Sequence, residues 1–178
     1  MTDAADKTRR DLNQVLEISR AMVAASDLDE LLSLIIDRSM ALLAAERASL
    51  FLYEAERGEL VSRIAAGVEE IRVPADRGIS GSTVRTGQTI NVPDAYADAR
   101  FNPDVDRRTG YRTRNILSVP LKDYEGSLVG VLQVINKRDG AFGPDDISLA
   151  ETLAAQAGVA IQRARLIAHY VEKQEMER

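Results

Sequence analysis

The chain has 178 residues, of which 45% are hydrophobic, with a formal net charge of −5, one histidine and no cysteine. That length and apolar share suit one globular domain with helical extensions, and the acidic balance argues against a nucleic-acid-binding surface while leaving room for a local basic pocket. The lack of cysteine excludes disulfides, cysteine-bound metals and thiol catalysis. The single histidine, His169, removes most metal and acid–base constellations. No apolar run reaches membrane-spanning length and the polar start does not read as a signal peptide, so the cytoplasm is the expected location.

In chain order, Asp6 to Ala25 is predicted to be a helix, with Leu12, Val15, Leu16, Ser19, Met22 and Val23 on one face. Asp27 then caps a second helix whose apolar face is Leu28, Leu31, Leu32, Ile35, Ser39 and Leu42. Residues 48–53 change the period and form a central strand, followed by the turn 56–59 and a hairpin partner over 60–65. A short strand covers 71–73, and a short helix runs from Gly78 to its closing Gly87. A brief strand at 90–92 leads into an arginine-rich polar stretch over 100–115 that has the composition of a pocket lid. Strong strands follow at 116–121 and 128–135, with Pro120 marking an edge or break in the first. Pro144, Asp145 and Asp146 open a long helix that runs to near the end. The order predicts an α+β fold: a central antiparallel sheet with helices packed on one face and a helical lid on the other.

In that last helix, Ile147, Ala150, Ala154, Ala157, Ile161, Ala164, Ala168 and Val171 recur at heptad spacing. Its first half packs on the sheet. Beyond about Arg163 the domain is complete, and the stripe predicts a parallel homodimer through the terminal helices, with an intramolecular pairing of first and last helices as the rival.

Three sets of residues now form a pattern. They are Gly78-Ile79-Ser80-Gly81, Asn91-Val92-Pro93-Asp94-Ala95-Tyr96, and the run from Asp106 through Thr109-Gly110-Tyr111-Arg112-Thr113-Arg114-Asn115 to Leu117. Together they resemble GAF domains, in particular the cyclic-nucleotide-binding GAF domains of phosphodiesterases and cyanobacterial-type adenylyl cyclases. The resemblance covers about Leu28 to Leu166. It divides the chain into an N-terminal helix (1–26), a sensor domain (27–166) and a helical linker (167–178) toward a further output domain. The family's Asn-Lys, Phe, Asp-Glu signature stands here as Asn136-Lys137, Phe142 and Asp146, with Ile147 in the final acidic place. The resemblance implies a structural ion pair between Lys137 and Asp146. It also implies phosphate contact by backbone at Ile79 and Ser80, and lid contacts from Asp106, Thr109 and Thr113. Gln133 on the last strand and Ser49 on the first complete the implied ligand set. Where some members hold the base with a Phe-Asp pair, this chain has Ala65 and Ala66.

Physical chemistry weighs each of these against a plainer role. Free amides at a helix start bind anions, yet loop-to-helix junctions of this kind are common. Thr109 and Thr113 share a side only if the segment is helical, and Gly110 argues for an end there; both hydroxyls could equally cap turns. Asp106 could accept from a ribose or a base, or pair with Arg107 or Arg108. Gln133 either needs a partner inside an apolar strand or faces solvent. No nucleophile–base pair, metal cluster or Walker loop is present, so neither catalysis nor a cofactor is expected. The expected function is a regulatory sensor that binds a cyclic nucleotide, cAMP ahead of cGMP, and relays occupancy through the terminal helices. The alternative is a dimerisation and relay module with a vestigial pocket. A bilin is disfavoured by the missing cysteine and haem by the position of His169. Partners are expected to be the cyclic nucleotide and a second copy, with no nucleic acid and no membrane.

Overall fold

The computed structural model describes residues 2–62 and 70–178. Two helices open it, α1 (Thr2–Ala24) and α2 (Leu28–Leu43). Then come β1 (Ala45–Glu54), β2 (Glu59–Ser62), β3 (Ile71–Pro74), α3 (Gly78–Thr86) and β4 (Ile90–Val92). A 3-10 turn (Ala95–Ala97), α4 (Asp104–Thr109), β5 (Ile116–Lys122), β6 (Leu128–Lys137) and α5 (Pro144–Met176) complete the chain. The strands form one antiparallel sheet in the order β3-β2-β1-β6-β5-β4. The α+β class and the two-sided arrangement are as the sequence predicts.

One face of the sheet meets α1, α2 and α5. Leu50, Leu52, Leu117, Val119, Leu132 and Val134 pack there against Leu32, Ile35, Leu153 and Ile161, all buried. Burying each large aliphatic side chain contributes about 1.5–3 kcal/mol, so this layer dominates stability. The other face carries two smaller clusters. One joins Ile79, Val92, Ala95 and Ile116; the other joins Leu60, Ala75 and Val131.

Helix ends follow local chemistry. Asp27 accepts a hydrogen bond from the Glu30 amide at 2.8 Å, and Ala44, left-handed at φ 50°, terminates α2. Pro144 starts α5, where the Asp146 carboxylate accepts from the Gly143 amide at 2.9 Å. Gly158 lets α5 lie against the sheet: a Cβ there would sit 2.0 Å from the Lys122 carbonyl oxygen. Pro120 is tolerated because β4 pairs only with Ile116–Ser118, so β5 is already an edge at residue 120.

One expectation needs correction, one falls partly outside the described residues, and one holds. The first helix begins earlier, at Thr2, and its docked face is Val15, Ile18 and Met22, while Leu12, Leu16 and Val23 are exposed. Two neighbouring stripes were equally apolar, and α5 and α2 accept only one. The first two β-hairpin strands pair over 51–54 and 59–62, and residues 63–65 of the predicted partner, with Ala65 and Ala66, lie outside the described residues. The end expected at Gly110 is present: α4 stops at Thr109, Gly110 takes φ 76°, and Thr113 lies beyond that helix.

In α5 the seam residues Ala150, Ala154, Ala157 and Ile161 are buried against the sheet side, while Ala168 and Val171 are exposed. Leu166, Ile167 and Tyr170 are exposed as well. Among the described residues no helix is long and apolar enough to cross a membrane.

Candidate functional site

The face of the sheet opposite the long helices carries a polar row between its two apolar clusters. Ser49 of β1 lies opposite Gln133 of β6, and Gln133 lies opposite Ser118 of β5. The Gln133 amide donates to the Ser118 hydroxyl at 3.4 Å, and Thr83 of α3 donates to the same hydroxyl at 2.8 Å. Gln133 is half-buried, so the predicted polar side chain finds its partner in a neighbouring strand. Ser118 and Thr83 were not foreseen; a serine in the apolar run Ile116–Leu121 was the available signal.

α3 lies over the Ser118 end of this row: Thr83 touches Ser118, and Ile79 in the first turn packs with Ile116. The first bond of the helix runs from the Gly81 amide to the Arg77 carbonyl at 3.0 Å, so the amides of Gly78, Ile79 and Ser80 have no acceptor within the helix. The Ile79 side chain is buried under the lid with Val92 and Ala95. Gly81 is required here by space, since a Cβ would come within 2.7 Å of the Asp76 backbone.

The lid folds back on itself around Asp106, which is buried at 8% exposure. One carboxylate oxygen accepts from the Thr113 amide at 2.7 Å and from the Tyr96 hydroxyl at 2.7 Å; the other accepts from the Thr113 hydroxyl at 2.8 Å. Burial pushes the Asp106 carboxyl up, but the Thr113 amide, the Tyr96 and Thr113 hydroxyls and nearby Arg112 outweigh it and hold it below the usual value. Burial and the bond to Asp106 raise Tyr96, the bond being the larger cause. Arg112 lies over the Tyr96 ring at 4.4 Å, and Phe101 meets that ring edge-on at 5.2 Å. Asp106 and Thr113 therefore meet, whereas Thr109 is exposed and its hydroxyl donates to the Val105 carbonyl at 2.9 Å. The pairing of Asp106 with Arg107 does not form; Arg107 lies 3.9 Å from Asp104 instead.

Behind the lid, Lys137 donates to Asp146 at 2.8 Å and to the Leu43 carbonyl at 2.9 Å. Beside it, Asn136 is fully buried and left-handed at φ 60°. Tyr111 donates to Glu46 at 2.8 Å beneath the Arg47 guanidinium, which stands 3.6 Å from the ring centre. His169 is exposed on α5, away from all of these. Among the described residues no group of histidines, cysteines and carboxylates could hold a metal ion.

This arrangement can present backbone amides to an anion and a half-buried amide and hydroxyl to a polar ring. A family model described as GAF domain matches residues 27–161. The chain is 33% identical over 175 residues to the probable 3′,5′-cyclic phosphodiesterase of Caenorhabditis elegans, covering 90% of this chain and 24% of that protein. It is 34% identical over 176 residues to the cGMP-specific 3′,5′-cyclic phosphodiesterase of Drosophila melanogaster, covering 89% of this chain and 16% of that one. It thus spans less than a quarter of the length of these relatives. In structure it is similar to the GAF domain of a phosphoenolpyruvate-protein phosphotransferase from Coxiella burnetii, with a TM-score of 0.77 at 23% identity, covering 89% of this chain and 96% of that one.

Proposed function

The chain belongs to the GAF domain family, and from that membership we propose that it is a non-enzymatic regulatory sensor for a cyclic nucleotide. The ligand sits between the sheet and the lid. Its phosphate meets the free amides of Ile79 and Ser80, where the helix dipole adds attraction. Its base and sugar face Gln133, Ser49 and the lid. The observation that carries this reading is the convergence of the α3 start with the Ser49–Gln133–Ser118 row on one face of the sheet. The sequence pattern puts cAMP ahead of cGMP. The name of the cGMP-specific relative weighs on the other side, and titration with both decides. The bonds of Asp106 to Thr113 and Tyr96 revise its part: it shapes the lid and leaves ligand contact to its neighbours.

Occupancy passes to the terminal helices, which pair with those of a second copy in parallel. The exposed stripe Leu12, Leu16 and Val23 lies on α1, and α5 offers Val159, Leu166 and Tyr170. A groove of about 840 Å³ between these helices is lined by Met22, Val23, Leu28, Val159, Ile167 and Val171.

The competing reading, a relay module without a ligand, is favoured by one observation: two of the expected lid contacts are spent on each other. Thermal unfolding separates the two. A ligand specific for the folded state stabilises it by about 2.7 kcal/mol at a hundredfold excess over its dissociation constant. A raised melting temperature with cAMP or cGMP supports the sensor; no rise with either at millimolar concentration supports the relay module.

A further inference from the structure

We infer that the outer rim of the lid is a docking surface for a carboxylate-rich segment of a partner protein, built on two arginine–tyrosine stacks. The Arg47 guanidinium stands over the Tyr111 ring, 3.6 Å from its centre, and that of Arg112 stands over the Tyr96 ring at 4.4 Å. Tyr111 and Arg112 are neighbours in the chain, so the two stacks adjoin through one peptide bond.

Both rings are fixed. The Tyr96 hydroxyl donates to the buried Asp106 carboxylate at 2.7 Å, and Phe101 braces that ring edge-on. The Tyr111 hydroxyl donates to Glu46 at 2.8 Å and accepts from the Asn136 side-chain amide at 2.8 Å. The two guanidiniums are not engaged in the same way. Arg47 and Arg112 are exposed, and neither forms an ion pair among the described residues. A guanidinium held by its face against a ring keeps its N–H donors in its own plane, directed outward past the ring edge. Stacking therefore orients the fork and leaves its donors free for a carboxylate.

The surroundings have the same sign. Arg107 and Arg108 are exposed on α4, and Arg114 stands at the lid exit, 3.6 Å from Glu46. Five arginines and two aspartates over 100–114 leave the lid at +3, so the rest of the −5 chain carries −8. That asymmetry selects the partner. A nucleic acid or an anionic membrane spreads past the rim onto the acidic remainder. A short acidic segment fits within the rim, and beyond a Debye length of about 8 Å it feels little else. The rim already holds one carboxylate of its own, Glu46, which takes the Tyr111 hydroxyl beside Arg114. Arginine pairs with carboxylates bidentately, and arginine and tyrosine are the residue types that dominate binding energy at protein interfaces. The proposal does not depend on the sensor reading.

The test titrates the ¹⁵N-labelled full chain with an acetylated peptide of glutamate and aspartate. Parallel arms use a phosphoserine peptide and a single-stranded DNA of equal charge. The expected result is saturable shifts at the side-chain Nε–H signals of Arg47 and Arg112 and at the backbone amides of Tyr111 and Arg112, tightest with the carboxylate peptide and weakening as salt rises. Arg47→Lys and Arg112→Lys keep the charge and lose the planar fork; each is expected to weaken the peptide about tenfold at an unchanged melting temperature. In Arg100→Lys the fork lost is one already engaged by Asp98, so the affinity is expected to stay within about twofold of the parent. Tighter binding of the DNA or the phosphopeptide, lysine variants at Arg47 and Arg112 that bind like the parent, or no saturable shift at millimolar peptide overturn the proposal. Shifts at the same signals on concentrating the chain alone assign the rim to a second copy and overturn it as well.

Discussion

Replacing Asp106 tests whether the lid is held by its own carboxylate. In Asp106→Ala, the Thr113 amide and hydroxyl lose their acceptors while Thr113 stays 4% exposed. A buried polar group left unpaired costs about 1–3 kcal/mol. The Tyr96 hydroxyl belongs to an exposed residue and can turn to water, so its loss is small. The expected total is about 2–4 kcal/mol. Asp106→Asn keeps the shape: its oxygen can accept from the Thr113 amide and Tyr96, and its amide can donate to the Thr113 hydroxyl. Only the charge-assisted part of the bonds disappears, costing about 1 kcal/mol. Urea unfolding measures both. With a slope of about 2 kcal/mol/M, the midpoint falls by about 1–2 M for alanine and about 0.5 M for asparagine. The Asp106 carboxyl is held below its usual value in the folded chain, so its stabilisation is complete above the unfolded value and is lost as pH falls through the folded one. Asp106→Asn should therefore lose less stability than the parent on acidification below about pH 4. An alanine variant within about 0.5 kcal/mol of the parent, or an asparagine variant as unstable as alanine, refutes the reasoning.

Other expectations follow from the same geometry. Gly158→Ala replaces a poor helix former, a change normally worth about 1 kcal/mol in favour of the helix. Here the new Cβ would meet the Lys122 carbonyl at 2.0 Å, so calorimetry should show a net loss of about 2 kcal/mol. Thr109→Ala removes only an exposed hydroxyl bound to its own helix, so stability should stay within about 0.5 kcal/mol while nucleotide affinity falls if the lid binds as proposed. Asp98, lowered to about 2 chiefly by its bond to Arg100, contributes stability above the unfolded value that is lost as pH falls toward 2; Arg100→Ala should flatten that part of an acid unfolding curve. Light scattering should give a dimer for the full chain and a monomer after deletion beyond Arg165; a monomeric full chain removes the helix pairing.

The sequence made the elements legible where one signal dominated. Pro144 with Asp145 and Asp146 marks the start of α5 because a proline and a carboxylate both suit a first turn. The docked face of α1 was ambiguous because Leu12, Leu16 and Val23 have the same spacing as a buried stripe, and only the position of α5 and α2 decides between them. The pairing of Asp106 with Thr113 was not legible because Thr113 is seven residues on, beyond the reach of helical or strand neighbours; the left-handed Gly110 brings it back. Tyr111, Glu46 and Arg47 meet across 65 positions, a contact no local pattern encodes. Asn136 left a faint trace: an asparagine ending an apolar strand is the residue type that accepts a left-handed backbone.

The sensor claim is tested most directly by titrating the ¹⁵N-labelled chain with cAMP and with cGMP and following individual amide signals. The account predicts saturable shifts, one site per chain, at the backbone amides of Ile79 and Ser80 and at the side-chain amide of Gln133, with one nucleotide bound more tightly than the other. Shifts confined to the groove between α1 and α5, or no saturable shift with either nucleotide at millimolar concentration, would contradict it.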